Sequence, residues 1–303
     1  MFATRKGAAI LSITSVSLLI VLKVVASILT GSISIRADAF HSVFDLTGVI
    51  IGYIGIRISG KPPDEHHAFG HGKAENIASM IIAGLIFIAA GTIFYEAVNR
   101  LMSGQTLEML TIGIYVTAAV IVINGATSWY ALRIARATDS VALEASARDM
   151  LADVLSSVAV LVGLILVNFT GLVILDPIIA MLVAILIVRT AYVTMKKSLG
   201  DLIDVKLPEA EESAIESAIM EHAGEIIGYH KLRTRKAGNQ RHIDLHLVMP
   251  GSMSVEDSHR MCDHLEEDIE HKLQNTSVTI HVEPCDGNCR RCPAICQNRR
   301  NGD

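Results

Sequence analysis

Residues 36–46, RADAFHSVFDL, place His41 and Asp45 inside an apolar stretch, and residues 144–157, EASARDMLADVLSS, do the same for Asp149 and Asp153. Each pair is spaced i, i+4, so both of its side chains project from the same face of a helix. Ionisable groups at that depth in a membrane are costly, and they usually mark a pathway for ions or protons. Three carboxylates and one imidazole on two such faces predict a divalent-metal site.

Those stretches belong to a chain of 303 residues, of which 51% are hydrophobic and arranged in blocks. A membrane-spanning helix needs about 20 mostly apolar residues. Blocks of that length lie at roughly 8–30, 33–56, 77–99, 110–132, 146–168 and 171–195. We predict an all-α six-span transmembrane transport domain over residues 1–200, a cytoplasmic α+β domain over 201–284 and a Cys-rich tail over 285–303.

The distribution of basic residues predicts the orientation. If the spans alternate, these positions fall on one side: Arg5, Lys6, Arg57, Lys61, Lys73, Arg133, Arg136, Lys196 and Lys197. Such residues are enriched in cytoplasmic loops, so we predict a multi-pass protein of the cytoplasmic membrane with both termini inside the cell. No cleavable signal peptide is evident. We expect Lys23 to lie near a span end and to snorkel.

The region after 200 mixes two periodicities. The predicted order is a helix over 208–223, strands over 226–235 and 241–249, a helix from the cap at Ser254 to about 273, and a strand over 277–283. In the second strand apolar side chains alternate with His242, Asp244 and His246. This order predicts a small sheet with helices on one face.

Each group of charged residues also has an explanation that does not involve a bound metal. For the membrane quartet, which is His41, Asp45, Asp149 and Asp153, the alternative is that these residues pair with basic residues such as Arg148 or merely line a water-filled crevice. Two i, i+4 pairs on separate apolar helices argue against that alternative. In the loop GKPPDEHHAFGHGK at 60–73, Asp64, His67 and His71 have a spacing that suits zinc. A solvated polar loop is the alternative there, and His66 fits the metal pattern less well.

The segments RADAFHSVFDL, FGHGKAE and EASARDMLADVLSS together resemble the cation diffusion facilitator family, from the first span to about Asp286. The resemblance implies a homodimeric antiporter that exchanges divalent cations for protons and exports metal from the cytoplasm. It assigns transport to His41, Asp45, Asp149 and Asp153. Many zinc-transporting members carry His at the position of Asp149, so the extra carboxylate here favours harder ions such as manganese or iron(II).

The same resemblance extends to the soluble region. RKAGNQRHIDLHLVM at 235–249 and SVTIHVEP at 277–284 resemble the cytoplasmic metal-binding segments of the family. They imply a ferredoxin-like, metallochaperone-like fold with a binuclear zinc site near the dimer interface. The residues so implied are His230, His246, His259, His281 and Glu283. By spacing alone they would be scattered surface histidines, and Glu283 stands where Asp is common in bacterial zinc exporters.

The tail CDGNCRRCPAIC at 285–296 carries four thiols that suffice for a tetrahedral zinc. They belong to Cys285, Cys289, Cys292 and Cys296. An iron–sulfur cluster and a disordered tail with free thiols are the alternatives. Cys262, inside a predicted helix, is expected to serve packing.

We therefore predict a proton-coupled divalent-metal exporter, with zinc, iron(II), manganese and cobalt as candidate cargo. No organic cofactor and no nucleic acid partner are expected. An intramembrane metalloenzyme is disfavoured, because the chain has no HExxH motif and no span pairs Ser or Cys with a plausible base. A metal-sensing or scaffold protein that binds metal without moving it remains the rival interpretation.

Overall fold

The computed structural model describes residues 4–30, 33–103, 111–172, 174–285 and 295–296. The chain divides into two compact units, Met1–Leu199 and Gly200–Asp303. The first unit consists of long helices, and the second combines helices with a sheet. The predicted fold class, a helical membrane domain followed by a small α+β domain, is confirmed.

The helices of the first unit are α1 (Arg5–Thr30), α2 (Ile33–Ser59), α3 (Lys73–Ser103), α4 (Thr111–Ala137), α5 (Val141–Thr170) and α6 (Leu175–Leu202). All six are long and apolar enough to cross a membrane. Several extend a turn or more beyond the apolar blocks, because polar residues at a membrane boundary continue a helix without cost to its hydrogen bonds. One clear boundary is the start of α5, where the side chain of Ser140 accepts a hydrogen bond from the backbone N–H of Leu143.

A buried carboxylate joins four helices of this unit. Glu75, in the first turn of α3, is fully buried and forms an ion pair with Arg5 of α1. Ser59 of α2 donates a hydrogen bond to its Oε1 at 2.7 Å, and Ser140, the N-cap of α5, donates to its Oε2 at 2.6 Å. A buried charge is tolerated only when it is paired and hydrogen-bonded, and here both carboxylate oxygens are satisfied.

The second unit consists of α7 (Glu209–Glu221), β1 (Gly228–Ala237), β2 (Gln240–Met249), α8 (Val255–Lys272), β3 (Thr276–Pro284) and β4 (Ile295–Cys296). The sheet has the order β3-β2-β1-β4. The β1–β2 and β1–β4 pairs are antiparallel, and the β2–β3 pair is parallel. The first five elements follow the predicted order, and β4 is an addition that the sequence pattern did not indicate.

The core of this unit lies between the helices and one face of the sheet. Ile243, Leu245 and Leu247 of β2 are buried together with Ile219 of α7 and Leu265 of α8. The residues that alternate with them along β2 project from the opposite face. This alternation carries His246, and its cross-strand neighbours, away from the apolar core.

Candidate metal sites

The second and fifth membrane helices meet at glycines of α2. A Cβ atom placed on Gly52 would lie 3.3 Å from Cβ of Ser146, and one placed on Gly48 would lie 2.8 Å from Oδ2 of Asp149. Real Cβ contacts of 2.8 Å are essentially never seen. A glycine at position 48 therefore lets the backbone of α2 approach the carboxylate of α5 directly.

The carboxylates of Asp45, Asp149 and Asp153 lie near enough to one another to interact. Asp149 is 9% exposed and interacts electrostatically with both Asp45 and Asp153, which are half-buried. Like charges in a desolvated space repel one another, so a bound cation or bound protons would stabilise the cluster. Helices α2 and α5 thus bring three of the four predicted metal ligands into electrostatic contact.

His41 lies in α2, one helical turn before Asp45. Its side chain falls outside the described part of the structure, so its place in the quartet stays a prediction. The rival partner for Asp149 was Arg148. That guanidinium instead donates to Glu144 at 2.6 Å and to Thr194 of α6 at 3.3 Å, and so serves the α5–α6 contact.

Two polar residues of the pocket region were missed or misplaced by the sequence interpretation. Asn124 of α4 is 6% exposed, and its Nδ2 donates to Oδ2 of Asp153 at 2.8 Å. Its lone amide within the apolar span of α4 was a sequence signal that the interpretation did not use. Lys23 of α1 was expected to snorkel; that prediction is wrong, since it is 1% exposed and donates to Oγ of Ser42 at 2.7 Å.

The loop residues singled out in the sequence lie together. Nδ1 of His67 is 3.1 Å from Oδ1 of Asp64, and Nε2 of His71 is 3.4 Å from its Oδ2. One ligand atom from each of the three residues lies within 4.8 Å of the others. Although desolvation opposes it, hydrogen bonds from the His67 side chain and from backbone N–H groups hold the pKa of Asp64 below its usual value. His66 offers only its backbone N–H to this group.

A second cluster lies on the face of the sheet that points away from the apolar core. His230, His246 and His281 occupy matching positions on β1, β2 and β3. Nδ1 of His246 is 2.6 Å from Oε1 of Glu283, and Nε2 of His230 is 2.9 Å from its Oε2. These hydrogen bonds, from His246 first and then His230, lower the pKa of Glu283 from 4.5 to about 2. A β-bulge follows His230 directly, with Lys231 at a φ of 52°.

Two of the histidines that the resemblance assigns to the cytoplasmic zinc site lie outside the close contacts of this cluster. Nε2 of His281 is 3.8 Å from Oε1 of Glu283, at the margin of the cluster. His259 lies on α8, where its Nδ1 is 3.4 Å from Oδ1 of Asp263. The metal-compatible group within the described residues thus comprises His230, His246 and Glu283, and the structure of a single chain does not bring His259 to it.

The described residues include only part of the Cys-rich tail. Cys285 is half-buried at the end of β3, where its N–H donates to the carbonyl of Met249 at 2.9 Å. Cys289 and Cys292 lie outside the described residues, and for Cys296 only the backbone pairing with Gly228 is described. The packing role expected for Cys262 is confirmed, because it is 8% exposed within the core and burial raises the pKa of its thiol.

Two family models match most of this sequence. The family profile described as "Cation efflux transmembrane domain" matches residues 9–203, and "Cation efflux protein, cytoplasmic domain" matches residues 207–285. An uncharacterized transporter of Synechocystis is 34% identical over 91% of this chain and 89% of its own length. The cation-efflux pump FieF of Serratia proteamaculans is 31% identical over 92% of this chain and 93% of the pump. A solved structure of CzrB is 38% identical, covers 26% of this chain and 98% of its own, and has a TM-score of 0.25.

The fold and these matches define a multi-pass membrane protein that transports metal cations and is not an enzyme. The chain belongs to the cation diffusion facilitator family of metal efflux transporters.

Proposed function

We propose that the protein is a proton-coupled antiporter that exports a divalent cation from the cytoplasm. It works as a homodimer in the cytoplasmic membrane with both termini inside the cell. The observation that carries the proposal is the pocket around Asp149, where Asp45 and Asp153 lie close by and Gly48 opens the α2–α5 contact. Carboxylates buried between two membrane-spanning helices usually mark a pathway for ions or protons.

The coupling follows from the chemistry of the ligands. A metal ion needs ionised carboxylates and a neutral imidazole, so metal binding releases protons and proton entry displaces metal. Because three crowded carboxylates repel one another, the pocket is stable either with bound protons or with a bound cation. Exchange between those states, combined with rocking of helices around the site, yields antiport.

The donor set bears on the identity of the cargo. His41 and the carboxylates of Asp45, Asp149 and Asp153 provide one nitrogen donor and at least three oxygen donors. Imidazole suits zinc, iron(II) and cobalt, whereas carboxylates suit manganese. We propose that the transporter accepts zinc but is not restricted to it, with iron(II), manganese and cobalt as further cargo.

The remaining clusters serve regulation in this proposal. Zinc occupies the group His230, His246 and Glu283, together with His281, and a dimer partner or a change in α8 brings His259 into use. The loop group Asp64, His67 and His71 is a separate, lesser zinc site. The chain thus comprises a transport domain over 1–200, a regulatory metal-binding domain over 201–284 and a tail over 285–303.

In the tail, Cys285, Cys289, Cys292 and Cys296 are proposed to hold a tetrahedral zinc. An iron–sulfur cluster or free thiols remain the alternatives. Zinc and cadmium titration of the purified chain, with and without the Cys289→Ser and Cys292→Ser changes, distinguishes these possibilities by the thiolate-to-metal absorption band and the metal content.

The decisive experiment measures flux. Inverted membrane vesicles carrying the protein are given a proton gradient, and uptake of zinc, manganese, iron(II), cobalt and cadmium is followed. We expect gradient-driven uptake that disappears when Asp45 and Asp153 are both changed to Ala, and that survives in the control Glu96→Gln, since Glu96 is an exposed residue of α3. Metal binding without gradient-driven uptake would instead identify a sensor or scaffold.

Selectivity is tested in the same vesicles by Asp149→His. Replacing the buried carboxylate with a second imidazole should shift the order of rates toward zinc and away from manganese, because manganese prefers oxygen donors. An unchanged order of rates would show that the choice between a carboxylate and an imidazole at this position does not determine which metal is transported.

A further inference from the structure

A third membrane helix reaches the transport pocket through Asn124. This residue lies on α4, whereas the quartet lies on α2 and α5. The residue is 6% exposed, and its Nδ2 donates to Oδ2 of Asp153 at 2.8 Å. The amide orientation is fixed by chemistry, because an ionised carboxylate accepts hydrogen bonds and would repel the amide oxygen.

The other end of the same amide is unsatisfied. Oδ1 of Asn124 is buried and has no hydrogen-bond partner among the described residues. Such a buried acceptor costs free energy, and an orphaned polar atom in a folded protein calls for a specific reason. The neighbouring Ser128 of α4 provides a contrast, since its hydroxyl donates to the carbonyl of Gly125.

The position of this oxygen suits a ligand. Because Oδ1 and Nδ2 belong to one amide, Oδ1 lies within roughly 5 Å of the Asp153 carboxylate oxygen that Nδ2 contacts, as standard bond lengths require. Two donors to the same cation lie at comparable separations, since each is about 2.0–2.6 Å from the ion. Amide carbonyl oxygens are accepted ligands of hard and borderline dications.

Resting on the proposed transport function, we propose that Oδ1 of Asn124 is a further ligand of the transported cation and a determinant of its selectivity. With His41, Asp45, Asp149 and Asp153 it raises the number of donor residues to five. Zinc in proteins is mostly four-coordinate, whereas manganese takes about six ligands, mainly oxygen. The extra neutral oxygen therefore favours manganese and iron(II) over zinc without adding charge to the pocket.

The test compares initial rates of manganese(II) and zinc(II) uptake into vesicles at one fixed proton gradient. Asn124→Leu removes the amide at similar size, Asn124→Asp keeps oxygen donors and removes the amide nitrogen, and Ser128→Ala is the control on the same helix. We expect Asn124→Leu to lower the manganese-to-zinc rate ratio about tenfold, the scale on which single groups around a metal site act. Ser128→Ala should leave the ratio near that of the wild type, and Asn124→Asp should not lower it, because the added carboxylate provides oxygen donors that manganese prefers.

A merely positioning role predicts a different result. If Asn124 only holds Asp153 in place, Asn124→Leu lowers both rates in the same proportion and the ratio stays constant, which would overturn the ligand assignment. A ratio that collapses in Asn124→Asp as it does in Asn124→Leu would also overturn it, because the nitrogen would then be the important atom.

Should Asn124→Leu fail to reach the membrane, Asn124→Cys provides the second variant. A thiolate prefers soft metals, so this change should lower the manganese-to-cadmium rate ratio, and an unchanged ratio would count against the assignment. Wild-type vesicles without gradient-driven uptake would refute the transport function itself and the ligand role with it. Wild-type uptake with unaltered ratios in the variants would refute only the role of Asn124.

Discussion

Among single residues, Gly48 lies directly against a carboxylate of the predicted transport site. A Cβ atom at this position would lie 2.8 Å from Oδ2 of Asp149, and that side chain has little freedom in a buried pocket. We predict that Gly48→Ala displaces the carboxylate and lowers metal affinity and flux by about tenfold or more, a scale typical of disturbed metal sites. Metal titration of the purified protein measures the change in affinity.

The matched control is Gly84→Ala on α3, where an added Cβ would meet nothing within 4 Å. This second variant should be neutral or slightly stabilising, because alanine is the better helix former. Equal metal affinity in Gly48→Ala and the wild type would show that Asp149 does not need its present position to bind cargo.

Glu283 provides a residue-scale prediction about pH. Hydrogen bonds from His246 and His230 lower its pKa from 4.5 to about 2 in the folded protein. A lowered folded-state pKa means that the ionised form stabilises the fold above pH 4.5, and that this contribution is lost as the pH falls from 4.5 toward 2. We predict that metal-free wild type is more stable than Glu283→Gln near pH 6 and that the two converge on acidification.

The measurement is thermal unfolding of both chains in the presence of a chelator, between pH 6 and pH 3. The difference in midpoint should shrink with each step below pH 4.5, where Glu283 of the unfolded chain begins to take up a proton. A difference that stays constant over that interval would show that the carboxylate is not held in its ionised form by its neighbours.

At this scale the sequence was informative where chemistry and spacing coincide. Asp149 and Asp153 stand out because charge inside an apolar span is expensive, and their i, i+4 spacing puts them on one helix face. The partnership of Asn124 with Asp153 depends on the packing of α4 against α5, which spacing along one helix does not contain. The burial of Lys23 was not predicted for the same reason. Whether a lysine near the end of a span reaches the membrane surface or is enclosed depends on its tertiary contacts, here the hydrogen bond to Ser42.

Between helices, the buried carboxylate of Glu75 forms one extended polar contact in the membrane unit. Its carboxylate connects α1, α2, α3 and the start of α5 through Arg5, Ser59 and Ser140. We predict that Glu75→Gln lowers the free energy of unfolding by about 2–4 kcal/mol, because the change leaves a largely buried guanidinium without its counter-charge. Thermal unfolding in detergent, read as a fall in the midpoint, measures this loss.

Glu96→Gln on the same helix is the comparison. Glu96 is 66% exposed and pairs with Arg100 at 3.7 Å, so its removal should change stability by less than about 1 kcal/mol. If the two substitutions had equal effects, the network around Glu75 would be no more than a surface ion pair in energetic terms.

The elements themselves were largely predictable, for reasons that differ between the two units. Long apolar blocks fix the membrane helices through the length that a bilayer requires. The strict alternation along β2 fixes both the strand and the face that carries His246. The two-residue strand β4 has no such pattern, because its pairing with Gly228 and Tyr229 depends on where the chain returns after β3.

At the scale of the whole molecule, each unit has a core of its own. Buried clusters of the membrane unit draw on residues between Ala8 and Ala191, and the core of the second unit extends from Leu207 to Ile269. Separate cores imply that each unit can retain its fold when the other is altered. A regulatory role for the cytoplasmic unit is therefore open to experiment by deletion.

We predict that a chain ending at Leu199 still inserts into the membrane and binds metal, but transports it more slowly or with an altered dependence on metal concentration. The full-length variant with His230→Ala and His246→Ala separates two explanations, since it keeps the domain and removes two imidazoles of its proposed metal site. If metal at that site drives the transport-ready state, this variant matches the truncated chain in its metal dependence. If the domain acts only by holding protomers together, the truncated chain alone is impaired. Vesicle flux measured over a range of free metal concentrations decides between them, and wild-type kinetics in both variants would exclude regulation by the cytoplasmic unit.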